Sequence, residues 1–361
     1  MKSMNKVLGY MRKKWYLPLS FAVMLLSFFV NAPTGEMIVS LKWNGLTMIF
    51  IMSISVAGLM KEKTLSPLKI ASDAFEHMGA ILLWFIALGF ALSAFITSIA
   101  ASLFLIPLAI NLLEKKERKE QIPGTVAAIA ISANAGGLLL PSGSIQNMLL
   151  HRAIEADSSF IMTMLPFFLI SIPALLLMIP AVLGKKTMER VYIHGEYDED
   201  EVGTKGMRML YVCLIAVAVL SSFGLFKWFV ILLVTLIILI VFDRSVFIRT
   251  DYSIFLSILF LTIAGNSFDA GTVSIMKSTL LSEVIGSGAA AAFLLPSADN
   301  VSNLLIGSNI GAFGTVISAP ALIALHSMVK RGKKDSLIFT AYYTGASVLF
   351  IALSSLYINL I

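Results

Sequence analysis

Apolar residues run along this chain in blocks separated by short polar or basic stretches. Blocks of such length predict helices that cross a bilayer. The pattern gives eleven segments: 16–31, 43–60, 79–113, 122–150, 160–183, 209–226, 228–242, 253–268, 279–303, 304–327 and 337–359. Segment 79–113 is 35 residues of nearly uninterrupted apolar sequence. As one helix it would be roughly 52 Å long, against a hydrocarbon core of about 30 Å. It must fold back or break, and its polar stretch Ser93-Ala-Phe-Ile-Thr97-Ser98 is the expected tip.

The flanking charges orient these segments, because cytoplasmic ends carry the excess of Lys and Arg. Lys2, Lys6, Arg12, Lys13 and Lys14 place the N-terminus in the cytoplasm, and Lys61, Lys63 and Lys69 return the second span there. The far end of 79–113 meets Lys115, Lys116, Arg118 and Lys119, so both its ends lie inside and it reads as a re-entrant hairpin. In the second half, Arg244 and Arg249 set one end inside, and Lys330, Arg331, Lys333 and Lys334 another. Parity then makes 279–303 a hairpin entering from the opposite face, with its tip at Pro296-Ser297-Ala-Asp299-Asn300. The expected fold is an all-α polytopic membrane protein: about nine transmembrane helices, two opposed re-entrant hairpins and two interrupted helices, arranged as an inverted-topology repeat. Its halves are 1–183 (hairpin 79–113, broken helix 122–150) and 209–361 (hairpin 279–303, broken helix 304–327), with the C-terminus external. The linker 184–208, with the acidic run Glu196 to Glu201, is a solvated cytoplasmic loop.

Composition agrees: 58% of residues are hydrophobic, 13% are charged, and the mean hydropathy is +0.90. No soluble domain of useful size remains. The net charge of +6 sits in clusters beside apolar spans, which excludes nucleic acid as the explanation. The basic start leading into Leu17 to Val30 is read as an uncleaved first span of a cytoplasmic-membrane protein. A single cysteine, Cys213, excludes an intrachain disulfide and is read as a small buried hydrophobe. There is no phosphate-binding Gly-x-x-x-x-Gly-Lys-Ser/Thr loop, no His-Glu-x-x-His and no Cys/His pattern, which disfavours ATP-driven transport and zinc proteolysis. A serine hydrolase would need Ser142 or Ser144 beside His326. The expectation is therefore no enzyme and no cofactor, only a coupling ion, Na+ or H+.

Two apolar segments are broken by Ser/Asn/Gly clusters, Ser132-Ala-Asn134-Ala-Gly136-Gly137 and Gly307-Ser308-Asn309-Ile-Gly311. Non-helical backbone at membrane depth is tolerated where it is buried in protein or lines a watery cavity. A pair of interrupted helices, one per half, points to the midplane site of a secondary transporter. The first break extends through Pro141, Ser142, Gly143, Ser144, Gln146 and Asn147. Its glycines and proline free carbonyls, and its amide and hydroxyl oxygens suit an alkali cation, while half-helix N-termini attract an anion. The break alone leaves the sign of the substrate open. Helix packing through small residues is the structural alternative for Gly136 and its neighbours. In the second half, Asp299 is the leading single residue, as cation ligand or proton carrier, beside Asn300, Asn309 and Thr315; the alternative is that it caps a helix at an aqueous vestibule. Asp269 reads as a turn or cap, Lys277 and Glu283 as interfacial flanks, residues 67–77 as an amphipathic interfacial segment, and His326 as an anchor. Basic residues near the breaks would favour an anion, and none is evident there. Coupled cation transport, an antiport by alternating access, is the preferred reading; sodium-coupled transport of a small anion comes second, and a channel is a distant alternative.

These motifs resemble a known superfamily. Ser132-Ala-Asn-Ala-Gly-Gly-Leu-Leu-Leu-Pro-Ser-Gly-Ser-Ile-Gln-Asn147 is similar to the first interrupted helix of the ion transporter superfamily, which includes arsenite permeases, sodium/proton antiporters and sodium-coupled carboxylate carriers. Ser297-Ala-Asp-Asn-Val301 resembles its second hairpin tip, and Ser308-Asn-Ile-Gly-Ala-Phe-Gly-Thr315 its second interrupted helix. The similarity covers about residues 79–150 and 253–327, and within the superfamily the chain resembles an archaeal branch labelled as cation transporters. The resemblance implies a mobile transport unit of hairpins and broken helices in a lipid bilayer, a small inorganic ion or small anion as substrate, and commonly a homodimer. It places the coupling ions between hairpin tip and broken helix: Thr97, Ser98 and Asn134 on one side, Asp299, Asn300, Asn309 and Thr315 on the other, with sodium at Asn134, Asp299 and Asn309. The chain departs from relatives in two ways: the tip Ile96-Thr-Ser-Ile99 lacks their Asn or Asp, and only seven residues separate Val301 from Asn309, where they place a full hairpin arm.

Overall fold

The computed structural model of the chain describes residues 14, 16–32, 34–61, 75–154, 157–190, 204–222, 226–268, 270–315 and 319–360. Among the described residues there is no strand, only an isolated antiparallel bridge between His77 and Arg190. The chain opens with α1 (Tyr16–Ser27), α2 (Gly35–Ser40) and α3 (Trp43–Lys61). Helices α4 (Met78–Ile96) and α5 (Ser98–Lys115) form a hairpin, and α6 (Ile122–Gly136) and α7 (Ile145–Leu150) an interrupted helix, followed by the long α8 (Asp157–Leu183). After α9 (Lys205–Ser222), α10 (Trp228–Phe242), α11 (Ser245–Arg249) and α12 (Ser253–Ser267), the same order returns. Helices α13 (Ile275–Ile285) and α14 (Ser287–Leu294) make a hairpin, α15 (Val301–Gly311) and α16 (Ala319–Arg331) an interrupted helix, and α17 (Lys333–Leu360) is again long. Among the described residues five helices are long and apolar enough to cross a membrane: α3, α4, α5, the Phe160–Leu183 part of α8, and α17.

The distribution of residue types is that of a protein surrounded by lipid. Helix α10 exposes Phe229, Leu233, Ile237, Ile240 and Phe242, whereas α6 is buried along its whole length and consists mostly of Ala, Gly, Ser and Ile. Cys213, expected to be buried, lies exposed on α9, because the apolar character of that helix continues onto its outer face.

The repetition extends to individual contacts. Gly89 packs against Ser132 and Ser93 against Gly136, joining α4 to α6; Ser278 packs against Gly307 and Ser282 against Gly311, joining α13 to α15. Hairpin positions correspond at an offset of 189 residues and broken-helix positions at 175. In each half, two small residues four apart on one helix meet two on the other. Without bulky side chains the backbones approach closely enough for dispersion to act along the whole seam. A Cβ on Gly311 would sit 2.6 Å from the Thr279 carbonyl oxygen.

Both hairpins turn on one residue with the same unusual backbone. Thr97 has φ 78° and ψ 148°, Gly286 has φ 90° and ψ 146°, and each stands between isoleucine and serine. The first turn falls inside the predicted tip. The second differs from the reading of the sequence: hairpin 279–303 with its tip at 296–300 is replaced by a hairpin of residues 275–294 turning at Gly286. The polar cluster that attracted the prediction starts a helix, since the Asn300 side chain accepts hydrogen bonds from the Ser302 and Asn303 amides at the N-terminus of α15. Accordingly the second broken helix begins at Val301, not at 304, and extends to Arg331. The arms of the first hairpin have 19 and 18 residues, each about 27–28 Å long; those of the second have 11 and 8, about 16 and 12 Å.

One buried ion pair ties the outer helices together. The Asp243 carboxylate, just beyond α10, accepts hydrogen bonds from Lys61 Nζ at the end of α3 (2.7 Å), from the Tyr211 hydroxyl of α9 (2.7 Å) and from the Ser245 hydroxyl (2.6 Å). Burial pushes this carboxyl up, but the hydrogen bonds from Lys61, Ser245 and Tyr211 outweigh it and hold the pKa at about 2, against 3.8 ordinarily. A depressed carboxyl stabilises the fold fully above the unfolded value and ceases to do so as pH falls through the folded one. Asp243→Asn is expected to lower stability by roughly 2–3 kcal/mol at neutral pH. Thermal melts of detergent-purified protein should show the deficit at pH 7 and its narrowing as pH falls from about 4 towards 2.

Candidate functional site

The two interrupted helices run antiparallel. The first half of one, α6, packs on the second half of the other, α16, while α7 packs on α15. Their breaks therefore meet at one level. Helix α6 ends at Gly136 and α15 at Gly311, and the residues beyond each present carbonyls with no helical partner. Buried side-chain amides take up these groups. Asn134 Nδ2 donates to the Ala312 carbonyl across the junction (3.0 Å), with the Tyr343 hydroxyl of α17 at 3.3 Å. In the opposite sense Asn309 Nδ2 donates to Asn147 Oδ1 (2.8 Å), and Asn147 Nδ2 donates to the Gly137 carbonyl (2.8 Å). Ala312 and Gly137 are equivalent in the repeat, so each half's asparagine reaches the other half's freed carbonyl, once directly and once through Asn147.

The second hairpin tip joins this network. Gln146 Nε2 donates to Asn309 Oδ1 (3.2 Å), and the Ser287 hydroxyl, first residue of α14, donates to Gln146 Oε1 (3.1 Å). A Cβ on Gly288 would be 2.9 Å from the Ile145 side chain, so the N-termini of α14 and α7 adjoin. The first hairpin contributes from its own side: the Ser142 hydroxyl donates to the Ala94 carbonyl in the last turn of α4 (2.8 Å), and Thr97 Oγ1 accepts from the Ala100 amide at the start of α5 (3.2 Å). Asn134, Ser142, Gln146, Asn147 and Asn309 are all nearly inaccessible. Every member of the network is uncharged.

Of the residues singled out from the sequence, Asn134, Ser142, Asn147 and Asn309 come together. Gly136 is required by space, since a Cβ there would overlap the Phe90 carbonyl and the Ser93 hydroxyl. Thr97 and Ser98 form the buried first tip, and Thr315 lies just past the second break, its hydroxyl donating to the Glu283 carbonyl (2.8 Å). Asp299 and Asn300 do not join them. Both are exposed in the connection between α14 and α15, where Asn300 is an N-cap, so the expected sodium position at Asp299 has no counterpart at the junction. Asp269, residues 67–74 and the run 196–201 lie outside the described residues. His326 is exposed, as expected of an anchor, while Ser142 is buried and bonded to a carbonyl, which is no arrangement for a serine nucleophile. Reading the sequence missed Ser287 and Tyr343; the repeated Ile-x-Ser at the two tips would have exposed the first, whereas Tyr343 lies unremarkably within an apolar segment.

The family model for citrate transporters, CitMHS, matches residues 7–303. The chain belongs to the citrate transporter family. No curated protein matches it. Membership makes it a multi-pass membrane protein and a secondary transporter, not an enzyme, and it upholds the resemblance to the ion transporter superfamily. The match ends before Asn309 and Thr315, so in this citrate transporter family member the family model does not extend to these two residues of the site.

Asn147 closes the first break, with bonds to Gly137 and Leu140 carbonyls and to Asn309. Asn147→Leu leaves these buried groups unpaired, at about 1–3 kcal/mol each. The variant is expected to melt at lower temperature in detergent and to lose at least about tenfold in transport rate, the factor that 1.4 kcal/mol represents; unchanged flux would show that the junction is not on the transport path.

Proposed function

We propose that the protein is a secondary carrier of a small di- or tricarboxylate, working by alternating access and driven by a coupled cation. One observation supports this above others: the N-termini of α14 and α7 adjoin over a buried, uncharged network of amide and hydroxyl groups. Helix N-termini and amide N–H groups are donors for a carboxylate, and the network holds no anionic side chain to repel it. The family description, citrate transporter, supports the same substrate class. This reverses the order of the readings drawn from sequence, in which a cation was the preferred cargo. The cation takes the coupling role instead, near the carbonyl-rich ends of α6 and α15, where Asn134 and Asn309 stand. The two antiparallel broken helices support the inverted repeat that alternating access uses, with the N-terminus cytoplasmic and the C-terminus external by the distribution of flanking Lys and Arg.

The test is counterflow in proteoliposomes loaded with unlabelled citrate, malate or succinate and diluted into labelled citrate, followed by uptake under imposed sodium, potassium or pH gradients. Transient accumulation of label with a di- or tricarboxylate inside is the expected result. Absence of carboxylate counterflow together with cation-dependent change in luminal pH would return the protein to cation antiport.

A further inference from the structure

Almost everything near the two breaks is neutral. Hairpin helix α4, the interrupted helix from Ile122 to Leu150, α14 and α15 carry no Asp, Glu, Lys, Arg or His at all. From Val284 to Leu325 the sole ionisable side chain is Asp299, which is exposed in the connection between α14 and α15. One ionisable residue nevertheless stands beside the second break. Glu283 lies in the last turn of α13, three residues before the hairpin turn at Gly286, and its carboxyl group covers Gly314: a Cβ on that glycine would be 2.6 Å from Glu283 Cδ. Thr315 fixes the approach through its bond to the Glu283 carbonyl, and the adjoining Ala312 carbonyl is the acceptor of Asn134. The side chain is half-buried, and among the described residues no hydrogen bond or ion pair reaches its carboxylate oxygens. The nearest charge on its own helix, Lys277, is turned away to the carbonyls of Ala270 and Thr272. Helices α14 and α15 and the turn 312–315, which pack against α13, offer no titratable group.

We infer that Glu283 is the proton-coupling residue of this carrier. The assignment rests on the carboxylate-carrier reading above and supplies its missing coupling ion. An anionic Glu283 next to a bound carboxylate repels it, and a protonated one does not, so substrate and proton bind with positive coupling. Linkage makes that coupling reciprocal. The proton is carried on one carboxylate oxygen of Glu283 and released to water when the substrate has left; no bond of the substrate changes. Gly314 then has a definite purpose, because any side chain there would displace the carboxyl group from the break.

Exchange and net transport separate the outcomes. A carrier whose coupling carboxyl is replaced by a neutral isostere still exchanges substrate for substrate but no longer accumulates it on a proton gradient. With proteoliposomes containing a trapped pH dye, the wild type is expected to exchange citrate, to acidify the lumen as citrate enters, and to accumulate it about tenfold per coupled proton for one pH unit. Glu283→Gln should keep citrate exchange within about twofold while losing both acidification and accumulation, and Glu283→Asp should restore part of both. Undiminished pH-driven uptake in Glu283→Gln, or wild-type accumulation driven by sodium and indifferent to pH, overturns the assignment and leaves the carboxylate reading standing. Loss of exchange as well in Glu283→Gln, in protein that melts like the wild type, also overturns it, since the residue would then be needed for binding. Absence of any carboxylate exchange in the wild type overturns both.

Discussion

A helix interrupted inside an apolar protein frees carbonyl and amide groups that water cannot reach, and each must find a partner or cost several kcal/mol. This fold meets that requirement by bringing two such interruptions together. Asn134 crosses to the Ala312 carbonyl, and Asn309 with Asn147 crosses to Gly137. The antiparallel course of the broken helices, the close seams between each hairpin and its broken helix, and the complete burial of α6 all bring these asparagines into register. Side-chain amides suit the task because each offers two donors and an acceptor without a net charge.

The neutrality of the junction also frames its chemistry. Donor-rich helix N-termini and acceptor-rich C-termini lie within one small region, so an anion and a cation can be accommodated without permanent ion pairs that would have to be broken in each cycle. A charge fixed in the network would be costly when unpaired. Placing the one carboxylate beside the break, against Gly314, keeps the network itself free of that cost.

Much of this was legible in the chain. Residues 228–242 coincide with α10, the turn at Thr97 falls in the predicted tip, and the Ser/Asn/Gly clusters mark both interruptions, because spans and breaks are written locally in hydropathy and in Gly and Asn content. What escaped was what depends on tertiary context. In the second hairpin the polar cluster 296–300 outweighed a single glycine, yet Gly286 makes the turn and Asn300 caps a helix. Asp299 stood out as a carboxylate in an apolar run, but shifting the hairpin leaves it outside. Glu283 was read as an interfacial flank because only the packing of α13 along α15 brings it to the break. Cys213 was assigned to the interior because hydropathy does not distinguish a protein core from a lipid-facing side.

The halves also differ in a way that bears on their energetics. From the second tip to the equivalent positions in its broken helix the chain is fourteen residues shorter than in the first half, and the turn is made by glycine where the first half holds a threonine in a backbone conformation that costs about 1–3 kcal/mol. In a perfectly repeated carrier the inward-open and outward-open forms would be images of each other and degenerate in free energy. On the alternating-access mechanism proposed above, the shortened arm and the strained threonine remove that degeneracy, so the empty protein would have a preferred side on which to wait.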